Sequence, residues 1–315
     1  MKLFLHIGLP KTASTFLQAT FARHHSIGYL GRPYTQENRS FNQLQYAFDG
    51  AWDAVEFADV IAQWRSGFTD KSALVISDEM LAGFPAYNFI NRSMIADRLA
   101  QSIPDAEIIL YLRNQRDLLL SMYNHYVKIG WIAHPLDTRF VTVPGTGMSL
   151  TEWLNGEHTW SRSRRFIDSR SFCSVEHFRF STLLALYHQR FAKVHVLLFE
   201  DLQCNLSSHL NRLGAILSVA DLEQAAGGLD SAKNASMSDA DLVRRLATNR
   251  LAGFRPKALK RLLIPIVAHQ HRRVAVEARQ YVNDVLRQSD LAEDNKSINA
   301  RYNLGMERHE GYALA

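Results

Sequence analysis

Four short stretches of the chain are apolar at nearly every position: Lys2 to Ile7, Ala73 to Ser77, Glu107 to Leu112 and Val194 to Phe199. A strand with one wet face alternates apolar and polar residues. These stretches do not, so they read as strands of a parallel sheet covered on both faces. Between and after them apolar positions recur at helical spacing, over Ser14 to His24, Asn91 to Gln101, Arg116 to Lys128, Val175 to Phe191, Leu206 to Leu217 and Asp239 to Leu251. Strands alternating with helices predict an α/β fold: a doubly wound parallel sheet with helical insertions. Such sheets bind ligands beyond the carboxyl ends of their strands, which singles out the loops after the first and third stretches. Trp131 to Ile167 follows neither period and holds several Gly and Pro. It reads either as a substrate loop or as a surface excursion. No Pro-rich or Ser/Gly linker and no internal repeat divides the chain, so one domain over residues 1–315 is expected.

Composition changes this picture little. The 315 residues are 47% hydrophobic and 21% charged, enough to bury a sizeable core. The two cysteines, Cys173 and Cys204, stand in unrelated contexts, and no Cys/His spacing suits a metal. The amino-terminal apolar run is too short for a secretory signal, and no stretch reaches the roughly 18 to 20 apolar residues of a spanning helix. The expectation is a cytoplasmic protein without a metal. Charge adds more: a net +5 and a pI near 9.2 favour anionic ligands. From Arg244 to Val276 the chain carries Arg244, Arg245, Arg250, Arg255, Lys257, Lys260, Arg261, Arg272 and Arg273 and no Asp or Glu. This basic helical extension, from about residue 244, reads in two ways. It is a packed helix with a solvated basic face, or it recruits something anionic, such as an acidic glycan or a lipid-linked precursor at the inner membrane surface.

Candidate chemistry sits at the two predicted loops. In "HIGLPKTASTFLQ", Pro10 ends a strand, Lys11 opens a turn, and Thr12, Ala13, Ser14 and Thr15 lead into a helix. Unpaired N–H groups and partial positive charge at a helix start hold phosphate or sulfate, and Lys11 adds a full charge. The plainer reading is a capped helix with a solvated lysine. In "LYLRNQRDLLLSMYNHY", Arg113 stands at a strand end and Ser121 eight residues later, about two turns into a helix. A guanidinium fork and a hydroxyl can then converge on a second anion. Two anion sites on one sheet edge suggest a ligand with two separated anionic groups.

The motifs "PKTAST" (Pro10 to Thr15) and "RNQRDLLLSMY" (Arg113 to Tyr123) resemble those of sulfotransferases that use 3'-phosphoadenosine 5'-phosphosulfate. "FEDL" (Phe199 to Leu202) and "KNASMS" (Lys233 to Ser238) resemble two further segments of that family. The likeness spans roughly residues 2 to 240; the rest of the chain matches no pattern. Two positions depart from it: Ala13 stands where the family usually has glycine, and Gln115 where it often has proline. The resemblance implies a P-loop-like sulfotransferase architecture and a transfer needing no metal. Lys11, Thr12, Ala13, Ser14 and Thr15 would hold the 5'-phosphosulfate, and Arg113 and Ser121 the 3'-phosphate. Lys233, Asn234 and Ser236 would close over the nucleotide. Lys11 would also act in catalysis, with Glu79 of "VISDEML" as leading general base and His24, His25 and His125 as alternatives. The acceptor would offer a hydroxyl or amine on a glycan, glycolipid or small metabolite, with peripheral membrane contact a further expectation. Two other classes compete. A P-loop kinase lacks support because no second glycine precedes Lys11 at Walker spacing. A non-catalytic anion- or nucleic-acid-binding protein lacks any recognised motif, and no nucleic-acid partner is expected.

Overall fold

In the computed structural model, residues 1–31, 38–84, 89–130, 175–229, 237–252, 254 and 257–312 are described. The four apolar stretches fold as strands and a fifth joins them: β1 (Lys2–Gly8), β2 (Ile27–Gly31), β3 (Ala73–Ser77), β4 (Glu107–Leu112) and β5 (Val194–Leu198). All pair in parallel, in the order β2-β3-β1-β4-β5. Successive side chains of a strand point to opposite faces. Leu3, Leu5 and Ile7 therefore enter one core with Leu74, Ile76, Ile108 and Leu110. Phe4 enters the other with Val75, Ile109 and Tyr111.

Helices cover both faces. Phe16, Leu17 and Phe21 of α1 (Ser14–Arg23) pack on the second core. The first core receives α2 (Asn38–Tyr46), α3 (Ala54–Ser66), α4 (Arg92–Ser102), α5 (Gln115–Ile129) and α6 (Phe180–His188). The protein is thus α/β, with a doubly wound parallel sheet. Its chain winds outward from β1 to β2 and later crosses to β4 on β1's other side. The loops leaving β1 and β4 therefore border the point where the winding reverses, the usual ligand crevice of such sheets.

Three local readings change. β2 carries no apolar run because two of its five residues are glycine; a side chain at Gly28 would run into Leu74 and Phe68. The predicted helix over Val175 to Phe191 is a 3-10 turn, Val175–Phe178, followed by α6. Phe199 ends no strand but opens α7 (Phe199–Cys204). Beyond lie α8 (Leu206–Leu217), α9 (Leu222–Ala226), α10 (Asp239–Arg250), α11 (Lys257–Gln270), α12 (Val274–Gln288) and α13 (Leu291–Tyr302). α10 and α12 pack against α5, and α13 packs against α6. The expected substrate loop at 131–167 lies outside the described residues. No helix among the described residues is long and apolar enough to cross a membrane.

Candidate active site

The turn between β1 and α1 is shaped by its backbone. Lys11 and Ala13 both lie in the left-handed region, at φ 69° and 62°. Thr12 between them is fully buried, and its hydroxyl donates to the Leu9 carbonyl at 2.6 Å. That hydroxyl holds the turn together. Ala13 is the residue before α1, and its methyl group offers the helix no cap. The first N–H groups of α1 thus lack a side-chain acceptor, as an anion-binding helix start requires. A Cβ in this conformation costs about 1 kcal/mol, which the turn bears.

Ser14 hydrogen-bonds across to the end of β3: its hydroxyl donates to Glu79 Oε2 at 2.7 Å. The neighbouring carboxylate does something else. Asp78 is fully buried, accepts from the Met80 N–H at 2.9 Å and from Gln45 Nε2 at 3.1 Å, and so caps the short turn Glu79–Ala82. Of the adjacent pair, Asp78 builds the turn and Glu79 faces the Lys11 loop.

Electrostatics tie more groups to this place. Burial, then the charge of Arg113, pulls the Lys11 ammonium below the usual lysine value, while Glu79 pulls it up. His125 stands at the open rim. Partial desolvation and then the Lys11 charge nevertheless keep its imidazole below the ordinary histidine value. Lys128 lowers both groups. Ser121, His125 and Lys128 are spaced i, i+4, i+7 along α5, so one stripe of that helix follows the site. Arg113 and Lys128 thus act on Lys11 as like charges, and Glu79 as the opposing one.

The loop after β4 supplies the second half. Arg113 Nη1 donates to the Lys11 carbonyl at 2.7 Å, joining the two loops directly. Its guanidinium lies 4.5 Å over the Phe199 ring, and its Nε–H is buried with no partner among the described residues. Burial lowers its basicity, against the pull of Asp117 and Glu200. Asn114 caps α5 by accepting from the Asp117 N–H at 2.9 Å. The buried Glu200 carboxylate accepts from the Asn114 N–H at 3.0 Å, from Asn114 Nδ2 at 2.9 Å and from the Tyr312 hydroxyl at 2.7 Å. Gly311, at φ 96°, packs so close that a side chain there would press on Asn114. Gln115, at the position where the family often has proline, exchanges two amide hydrogen bonds with Asn295 of α13, at 2.7 and 3.1 Å.

Arg113 and Ser121 open into one cavity of about 210 Å³ between α5, α10 and α12. Tyr123, Met237, Asp239 and Arg279 also line it, and the Tyr123 hydroxyl is buried without a partner among the described residues. Arg279 is paired with Asp239 at 2.9 Å.

The structure thus brings together Lys11, Ser14 and Glu79, and brings Arg113 and Ser121 to one cavity. Thr15 is exposed at the start of α1. Lys233, Asn234 and Ser236 lie outside the described residues. His24 is at the far end of α1, roughly 15 Å from the loop by helix rise. Its Nε2 faces the Ala220 carbonyl at 2.7 Å, its Nδ1 accepts from the Ser26 N–H at 3.2 Å, and His25 stacks on its ring. Neither histidine can serve the site. Sequence reasoning missed Lys128, which its i+7 spacing from Ser121 signals. It also missed Arg279 and Tyr312, which no local pattern marks. Among the described residues no three His, Cys, Asp or Glu side chains stand together as a metal-binding group.

No protein-family model and no curated protein matches the chain. Solved structures do resemble it. A sulfotransferase from Alicyclobacillus acidocaldarius is 16% identical at a TM-score of 0.46, over 83% of this chain and 99% of that one. The sulfotransferase domain of the Synechococcus PCC 7002 olefin synthase is 14% identical at 0.41, over 85% and 93%. Mouse sulfotransferase SULT7A1 complexed with PAP is 13% identical at 0.38, over 91% and 89%. At these TM-scores the likenesses decide nothing about activity, and the functional reading rests on the site.

Proposed function

We propose that the chain is a sulfotransferase, moving a sulfuryl group from 3'-phosphoadenosine 5'-phosphosulfate to a hydroxyl or amine. The observation that carries this reading is the 2.7 Å contact of Arg113 with the Lys11 carbonyl. It sets a cation from each of two neighbouring strand ends side by side. The unsatisfied Nε–H of Arg113 and the cavity shared with Ser121 favour a second anion beside the first. A nucleotide with a phosphosulfate at one end and a 3'-phosphate on its ribose matches that demand.

The transfer needs positioning and charge stabilisation more than covalent work. The acceptor oxygen or nitrogen bonds to sulfur while the bond from sulfur to the 5'-phosphate oxygen breaks. The electron pair stays on that phosphate oxygen, where Lys11 and the first N–H groups of α1 meet the growing charge. The acceptor proton passes to Glu79, which the Ser14 hydroxyl steadies. His125 at the rim is the second group able to take it. Glycans, glycolipids and small metabolites bearing hydroxyls or amines are the acceptor classes to try.

The test offers purified protein a sulfur-labelled donor and, separately, ATP labelled on its terminal phosphate, over such an acceptor panel. Label should move only from the phosphosulfate. Glu79→Gln should lower turnover by roughly 100-fold or more with nucleotide affinity unchanged. Phosphoryl transfer from ATP would overturn the assignment. Full activity of Glu79→Gln with loss in His125→Asn would move the base to His125.

A further inference from the structure

α11 (Lys257–Gln270) carries no buried residue. Its half-buried side rests on α10. On the outer side Leu259, Leu262 and Ile266 are 43%, 69% and 58% exposed. Their i, i+3, i+7 spacing places them in one stripe along the helix. A stripe facing the core would be buried; this one faces outward. Lys257 and Arg261 are exposed on the other side of the helix, roughly opposite this stripe, and Arg273 is exposed just past the helix end. No Asp or Glu occurs between residues 242 and 276.

We infer that α11 docks the protein on an anionic lipid bilayer. The helix lies in the interface plane, its apolar stripe among the upper acyl segments and the cations of its opposite face above it at headgroup level. Each feature of the helix selects this occupant. The stripe is about 10 Å long by helix rise and stands opposite a basic face, the arrangement of a helix lying in the plane of a bilayer interface. A second copy of the chain would set basic residues against basic residues with no carboxylate in this span to pair them. A soluble acidic polymer would use the cations and leave the leucines without purpose. An apolar stripe backed by lysine and arginine on the opposite face is what an anionic membrane surface attracts.

The full-length protein is mixed with vesicles of phosphatidylcholine alone or with about a third phosphatidylglycerol, and bound protein is measured by flotation at low and high salt. Wild-type protein should float with the anionic vesicles, less so at high salt, and not with phosphatidylcholine alone. Lys257→Gln, Lys260→Gln and Arg261→Gln together should weaken partition on the order of 10- to 100-fold. Leu259→Ser, Leu262→Ser and Ile266→Ser together should weaken it as well, with the melting temperature of both variants held near wild type. No flotation of wild-type protein at low salt would overturn the inference. So would equal binding by the serine variant, which would make α11 a simple polyanion site. A wild-type dimer that the serine variant turns into a monomer would assign the stripe to self-association instead.

Discussion

The two loops on the carboxyl edge of the sheet are held by opposite means. The loop after β1 is shaped from within: two left-handed residues, Lys11 and Ala13, and one local staple from Thr12 to Leu9. The loop after β4 is held from without, by Glu200 and Tyr312 on Asn114 and by Asn295, 180 residues away, on Gln115. The difference suits the two tasks that the proposed function gives these loops. A reacting end needs donors left open where charge develops, so its helix start is uncapped. An anchoring end needs a guanidinium held in one orientation, so its loop is enclosed by buried hydrogen bonds.

If the anchor is held from without, its supports should matter most. Glu200→Ala leaves the Asn114 N–H and the Tyr312 hydroxyl without their acceptor in the interior. Unfolding free energy should fall by roughly 3 to 5 kcal/mol, read by urea titration. Nucleotide affinity should fall with it, although Glu200 does not line the cavity. The reacting loop should behave the other way. Lys11→Ala should lower turnover by about 100- to 1,000-fold while stability stays within about 0.5 kcal/mol of wild type.

Acid should strike beneath the reacting loop. His6 on β1 is fully buried, with Nδ1 on the Ser77 hydroxyl at 2.7 Å, and burial lowers its pKa from 6.5 to about 4. The unfolded chain then takes a proton that the folded one refuses. This contribution is complete above pH 6.5, is lost as pH falls toward 4, and is worth roughly 3 kcal/mol over that window. His6→Gln should flatten the stability–pH curve there.

The smallest effects sharpen the contrast most finely, by installing in each loop the residue that the family resemblance expects. Ala13→Gly removes the left-handed strain but adds freedom to the unfolded chain, a net gain of about 0.5 kcal/mol. Gln115→Pro is favourable for a first helical position, yet it strips Asn295 of two buried hydrogen bonds and should cost about 1 to 3 kcal/mol. Opposite signs in thermal melts are expected.

The same contrast explains what the sequence made legible. The sheet showed itself because strands covered on both faces are apolar throughout; β2 escaped because its glycines serve close packing against Leu74 and Phe68. Lys11, Ser14, Arg113 and Ser121 could be placed at the two strand ends because each stands in its loop's own local pattern. What holds the second loop could not. Tyr312 and Asn295 belong to no motif, and the chain after about residue 240, which matches no pattern, supplies α12 with Ala275, Ala278 and Arg279 as a wall of the cavity. The two hydroxyls of Thr12 and Ser14 looked alike in sequence. Only the fold distinguishes the one that staples the turn from the one that steadies Glu79.

Whether the two loops hold two separate anions of one nucleotide is read by calorimetry with adenosine 3',5'-bisphosphate and with AMP. Wild-type protein should bind the bisphosphate about 10- to 150-fold more tightly, the worth of a charge-assisted contact of roughly 1.5 to 3 kcal/mol. Arg113→Ala should erase that preference, and Lys11→Ala should keep it. Equal affinity of wild-type protein for the two nucleotides would contradict the account.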